Sequence, residues 1–147
     1  MKKFTKILSL FLVLGLALGI IGCSSFGKVE KVIKDEGYTL LVDKLDAQKE
    51  YEKVDGAVKV HVFTKTKTVA LLPVPYFVYV IEFKTTEKMI EYFNESETLK
   101  ALVKDITKND DVKKIHAKLE KAGIACDNCL IITTDDDVYE EIADLND

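Results

Sequence analysis

Apolar positions recur along this chain at two spacings, and the changes of spacing mark its elements. Val29, Val32 and Ile33 lie at helical intervals between Lys28 and Glu36, and Gly37 suits the left-handed position that follows a helix end. Tyr38 to Val42 reads as a strand. The polar stretch from Asp43 to Gly56 is ambiguous between loop and short helix, with Asp55-Gly56 as a turn signal. From Ala57 to Phe63 the period is two. Val58, Val60 and Val62 share one face; Lys59 and His61 share the other, which is expected to be solvated or half-covered. Thr64 to Thr68 is charged and threonine-rich and is expected at a hairpin tip. Tyr76 to Phe83 carries β-formers at nearly every position and is the strongest strand.

Helical spacing then returns. Thr86 is positioned to cap a helix through Phe93, with Met89, Ile90 and Phe93 facing inward. Ser96 is positioned to cap a second, striped by Leu99, Leu102, Val103 and Ile106. Asn109 or Asp110 begins a third, with Val112, Ile115, Leu119 and Ala122 as its stripe and Gly123 as its stop. Cys129 to Thr133 is a short apolar strand. Thr134 to Asp137 caps a last helix that carries Val138, Ile142 and Leu145 on one face.

This order implies an α+β domain. Neighbouring strands joined by short turns favour antiparallel pairing, in a sheet of about four strands with the helices packed mostly on one face. The succession of strand pairs, helical crossover and returning strand resembles ferredoxin-like arrangements.

The first residues follow a different logic. Met1 to Lys6 is short and basic, Ile7 to Ile21 is almost wholly apolar, and Ile20-Ile21-Gly22-Cys23 ends the run. This resembles the lipobox of bacterial lipoproteins. The resemblance implies that the Cys23 thiol is joined to diacylglycerol, that residues 1–22 are removed as a signal peptide, and that Cys23 becomes the first mature residue. Residues 23–27 then form the lipidated cysteine and a tether, and 28–147 form a single domain. The implied location is the cell membrane, with the domain held outside the cytoplasm. The uncharged run is about 20 residues, long enough for a membrane span. Three glycines within it and basic residues only at its start argue for the signal instead. Two acyl chains, at about 0.8 kcal/mol per buried methylene, anchor a domain stably. Segments such as Gly37-Tyr38-Thr39, Tyr79 to Phe83 and Ile131 to Thr134 also loosely resemble small uncharacterised lipoproteins of low-GC bacteria, a resemblance that implies no activity.

Composition narrows the partners. Loss of Lys2, Lys3 and Lys6 with the leader leaves 125 residues, with 18 lysines against 25 acids and a net charge of −7. An acidic domain stands off an acidic bilayer and lacks the basic clustering that nucleic acid requires. Every lysine-or-arginine cation is Lys, so no guanidinium can grip a carboxylate or phosphate in bidentate fashion.

Candidate chemistry is sparse. Cys126-Asp127-Asn128-Cys129 is the one reactive motif. Thioredoxin-type pairs open a helix, whereas this one leads into a strand, and Asp127 between the thiols raises their pKa. A structural disulfide between Cys126 and Cys129 is expected, with free buried thiols left open and thiol-disulfide exchange as the rival function. So small a ring contributes at or below about 2 kcal/mol. Only His61 and His116 are present to complete a zinc set with the cysteines, from separated places. His116 reads as a histidine at a helix flank. Asp135-Asp136-Asp137 lacks the alternation of a calcium loop and reads as a helix cap. Neither a nucleophile elbow nor a phosphate loop is present, and no catalytic residue, metal or cofactor is expected.

One stretch remains. Val69 to Ile81 is uncharged and contains Pro73 and Pro75, so Leu72 to Pro75 is not expected in a central strand. Leu71, Leu72, Val74 and Tyr76 are the candidate interaction surface for an unidentified protein partner. The reading as a whole is a non-catalytic binding or accessory module of the bacterial envelope. The anchor is testable on its own: Cys23→Ala should accumulate uncleaved precursor and take up no fatty-acid analogue in metabolic labelling. Equal label in both proteins would sink the lipoprotein reading.

Overall fold

The computed structural model describes residues 25–41, 49 and 53–147. The leader, Cys23, Ser24, Val42 and most of the polar stretch from Asp43 lie outside them. In chain order the elements are α1 (Ser25–Asp35), β1 (Thr39–Leu40), β2 (Ala57–Val69), β3 (Leu72–Phe83), α2 (Thr86–Glu95), α3 (Glu97–Lys100), α4 (Val112–Lys121), β4 (Ala125–Cys126), β5 (Cys129–Thr133) and α5 (Asp136–Asn146). The fold is α+β. Five strands form one antiparallel sheet in the order β1-β2-β3-β5-β4, one strand more than the pattern suggested.

Strand alternation sorts the core into two halves. Val60, Val62, Ile81, Phe83, Ala125 and Leu130 face α2, α3 and α4, and they pack with Met89, Phe93, Leu99, Ile115 and Leu119. Phe63, Val78, Val80, Cys126, Cys129 and Ile131 face the opposite way. Val29 and Ile33 of α1 and Val138 and Ile142 of α5 cover them. The expected one-sided helical cover is therefore divided between both faces. The cause is visible in β3 and β5, which are apolar at successive positions and must be buried on both sides.

Helix ends follow side-chain capping. Thr85 accepts from the Lys88 N–H, Ser96 from Leu99, Asp111 from Lys114 and Asp135 from Asp137. Each such cap contributes about 1 kcal/mol. Three starts differ from expectation by a residue or more. The largest change is α1, which begins at Ser25 rather than Lys28, so Ser25 to Gly27 form its first turn instead of a tether. Ser25 Oγ donates to the Asp127 carboxylate at 2.8 Å, and the Phe26 ring stacks on His61 with centroids 3.5 Å apart. The helix after Ser96 ends at Lys100, although Val103 and Ile106 still pack against the core.

Gly123 follows α4 with φ +75°, and a Cβ there would lie 1.8 Å from the Tyr139 carbonyl oxygen. Backbone cannot yield as a flexible side chain does. Gly123→Ala should therefore lower stability by about 3 kcal/mol or more, read as the shift of a urea unfolding midpoint.

Candidate functional site

β2 and β3 pair in register from Val69↔Leu72 down to Lys59↔Glu82, with a bulge between Ala57 and Lys59. Among the described residues, β1 pairs with β2 at Phe63 and Thr64, the Leu41 N–H donates to the Val62 carbonyl, and β5 pairs with β3 from Val78 onward. Residues 65–76 therefore continue beyond the sheet as a two-stranded ribbon. The expected tip at Thr64 to Thr68 is strand, and the chain reverses just beyond it, at Ala70-Leu71. Leu72 to Pro75, not expected in a central strand, begins β3 at a stretch that pairs with β2 alone among the described residues. The prolines are tolerated there because this part of β3 has no neighbour on its outer side among the described residues.

The ribbon is fixed at its base. Lys67 Nζ lies 2.6 Å from the Asp135 carboxylate and 4.7 Å from the centre of the Tyr76 ring. Lys65 Nζ donates to the Glu36 carbonyl, and Tyr38 Oη donates to Asp135 at 2.5 Å. Burial by itself would raise the Asp135 carboxyl, but the bonds from Lys67 and Tyr38 outweigh it and hold the group below the usual carboxylate range. Burial, followed by Asp135, pushes the Tyr38 hydroxyl up. The aspartate run thus caps α5 and also ties the ribbon to both α1 and α5.

The tip is less at ease. Ala70 and Leu71 have φ of 50° and 67°, the two-residue turn that ordinarily selects Asn-Gly. The left-handed conformation costs a residue with a Cβ roughly 1–2 kcal/mol. Leu71 is 93% exposed, Leu72 66% and Val69 47%. Val74 and Tyr76 lie on the same face as Leu72 but nearer the base, half-buried beside Lys67 and Lys65. The structure thus gathers the four predicted surface residues on one ribbon, with Leu71 and Leu72 most open.

The other candidates meet at the opposite end of β2. Cys126 and Cys129 face each other across the two-residue turn Asp127-Asn128, in which Asp127 has φ 51°. Both are free thiols and both are buried, so the expected disulfide is absent while the facing register is present. Burial pushes the Cys126 thiol up to about 11; Asp127 and Glu120 add to this and Lys28 opposes it. Burial, with Glu82 next, drives Cys129 further in the same direction. The turn is braced by Asn128 Nδ2 donating to the Phe83 carbonyl at 2.7 Å, and His116 Nε2 lies 2.8 Å from the Asp127 carbonyl. His116 is thus a structural flank histidine.

His61 departs from expectation. It is 8% exposed and pairs with the Glu82 carboxylate at 2.7 Å beneath Phe26. The alternation sets His61 on one face with Lys59, which is expected to be solvated or half-covered. The bulge breaks that alternation and leaves Val58 63% exposed, and α1 covers the face that His61 occupies. Among the described residues, no three His, Cys, Asp or Glu side chains converge as a metal-holding group. A separate open cleft of about 350 Å³ is bordered by Asn94, Thr107, Lys100 and Asp110, but Lys100 pairs with Glu97 and Asp110 with Lys118. No protein-family model, curated protein or solved structure matches the chain.

The thiols give a pH test in reducing buffer. The folded Cys126 thiol titrates near 11 and an unfolded one near 9.0, so between those values only the unfolded chain loses the proton. Stability should be level on this account below about pH 9 and fall by about 2–3 kcal/mol towards pH 11. In Cys126→Ala, urea unfolding should show a shallower alkaline slope. The remaining slope would come from Cys129 and the raised Tyr38 and Tyr139.

Proposed function

We propose that this chain is a lipid-anchored binding or accessory module of the bacterial cell envelope that presents the β2–β3 hairpin tip to a protein partner outside the cytoplasm. The observation that carries the reading is Leu71, a leucine in a left-handed turn, 93% exposed. Folding alone disfavours both properties, and neighbouring Leu72 and Val69 extend the apolar patch.

The placement of the ends supports a protein partner over the anchoring bilayer. Cys23 precedes Ser25 by two residues, which leaves almost no tether. Ser25 sits at the cysteine turn, whereas the other end of α1 meets the base of the ribbon through Glu36 and Lys65. From His61, beneath Phe26, to Val69 is eight residues of strand, about 27 Å at roughly 3.4 Å per residue. The tip is thus held away from the lipidated end, and a mature charge of −7 adds repulsion from an acidic membrane.

Thiol exchange has less support, because its attacking sulfur must be accessible and readily ionised. Cys126 and Cys129 are buried and shifted the opposite way. Their facing register, with cross-strand neighbours about 4.5–5.5 Å apart at Cα, suits a structural role rather than exchange.

Leu72→Asp separates a docking tip from a loop folded onto its own core. An exposed position should tolerate the charge, shifting the melting midpoint by no more than a few degrees, while crosslinking of the anchored protein to its envelope neighbour falls away. Val78→Asp, at a fully buried position of the same strand, should unfold the domain. A large drop in the Leu72→Asp midpoint, or undiminished crosslinking, would remove the tip as the docking surface.

A further inference from the structure

We propose that the open edge of β2 at Thr66 and Thr68 receives a short extended segment of the partner protein as an added strand. This rests on the docking reading above and specifies how the partner is held.

The register determines which backbone groups are free. A two-residue turn makes Val69↔Leu72 a hydrogen-bonded pair, and pairs alternate from there. Lys67↔Val74 and Lys65↔Tyr76 are then bonded pairs, whereas Thr68↔Pro73 and Thr66↔Pro75 are not. The N–H and C=O groups of Thr66 and Thr68 point to one outer edge of the ribbon, and the C=O groups of Pro73 and Pro75 to the other. Neighbouring bonds follow the same parity. The Val62 carbonyl accepts from Leu41 on the β1 side, and the Phe77 carbonyl accepts from Thr133 Oγ1 on the β5 side.

The two edges are treated differently. On β3 both outward donors have been removed by proline, which leaves the hairpin ladder intact and closes that edge to pairing. On β2 both outward donors remain, and no described residue covers them beyond the β1 pairing at Thr64. Edge lysines commonly repel an incoming strand, but Lys65 and Lys67 are turned onto the Glu36 carbonyl and Asp135. An open row of paired donors and acceptors fits another backbone and little else. Val69 and Leu71 beside it favour a segment with apolar, β-branched residues.

The probe is a fluorescent hexapeptide of alternating valine and threonine, with a version N-methylated at alternate residues as control. It is titrated into the full chain up to millimolar concentration. Strand addition requires that the probe slow amide exchange at Thr66 and Thr68, and that the N-methylated peptide bind at least tenfold more weakly. Thr68→Pro copies on β2 what Pro73 does on β3, so it should keep the wild-type melting midpoint and lose the probe. Equal binding of both peptides, unchanged exchange at Thr66 and Thr68, or a concentration-dependent dimer built on this edge would overturn the proposal. Crosslinking to the envelope neighbour that Leu72→Asp abolishes but a folded Thr68→Pro retains would overturn strand addition and leave the docking tip standing. Indifference to both substitutions would remove both.

Discussion

The pairing of β2 with β3 governs most of what the rest of the molecule does. Twelve partner positions, from Val69↔Leu72 to Ala57↔Phe83, determine which side chains look up and which look down. β1 joins one side of that pair and β5, with β4 beyond it, joins the other. A one-residue slip would carry Val60, Val62, Ile81 and Phe83 to the wrong face and strip both halves of the core. The bulge near Val58 is the single interruption, and it lies at the end remote from the tip. The same register that builds the core also decides which backbone groups the ribbon shows to solvent.

A small polar knot joins three elements that have no sequence proximity. Asp135 caps α5, receives the Tyr38 hydroxyl from the segment after α1, and meets Lys67 from the ribbon. The carboxylate is nearly enclosed, so its charge is tolerable only while these partners stay in place. The ribbon is therefore braced against the body of the domain at its base and unsupported beyond it. That contrast gives the hairpin a braced stem with an exposed apolar end.

Elements with long, regular patterns were legible in the sequence. The stripe of Ile115 and Leu119 located α4, the β-formers before Phe83 located the core of β3, and Ser96 was read correctly as a cap. What escaped was short or depended on tertiary cover. β4 has two residues, too few to show a period. His61 alternates with valines as a solvated residue would, and only the arrival of Phe26 from α1 encloses it. The prolines at 73 and 75 argued against a central strand, and sequence alone does not reveal that they lie on a strand whose outer side lacks a neighbour among the described residues. The exposure of Leu71 and Leu72 was nevertheless legible, since an uncharged run interrupted by proline cannot all be directed inward, whereas Val74 and Tyr76 are half-buried. The disulfide expected between Cys126 and Cys129 implied that they lie close, while the two-residue turn that sets them face to face came with β4.

The course of α1 bears on how the domain carries tension. The helix enters at Ser25 beside the cysteine turn and runs along β2 to Glu36 at the foot of the ribbon. A pull applied between Ser25 and Leu71 is thus directed along the strands. It must slide Val29 and Ile33 lengthwise across Phe63 and their neighbours rather than lift the helix away. Many apolar contacts then resist together, in shear, instead of parting one after another as in peeling.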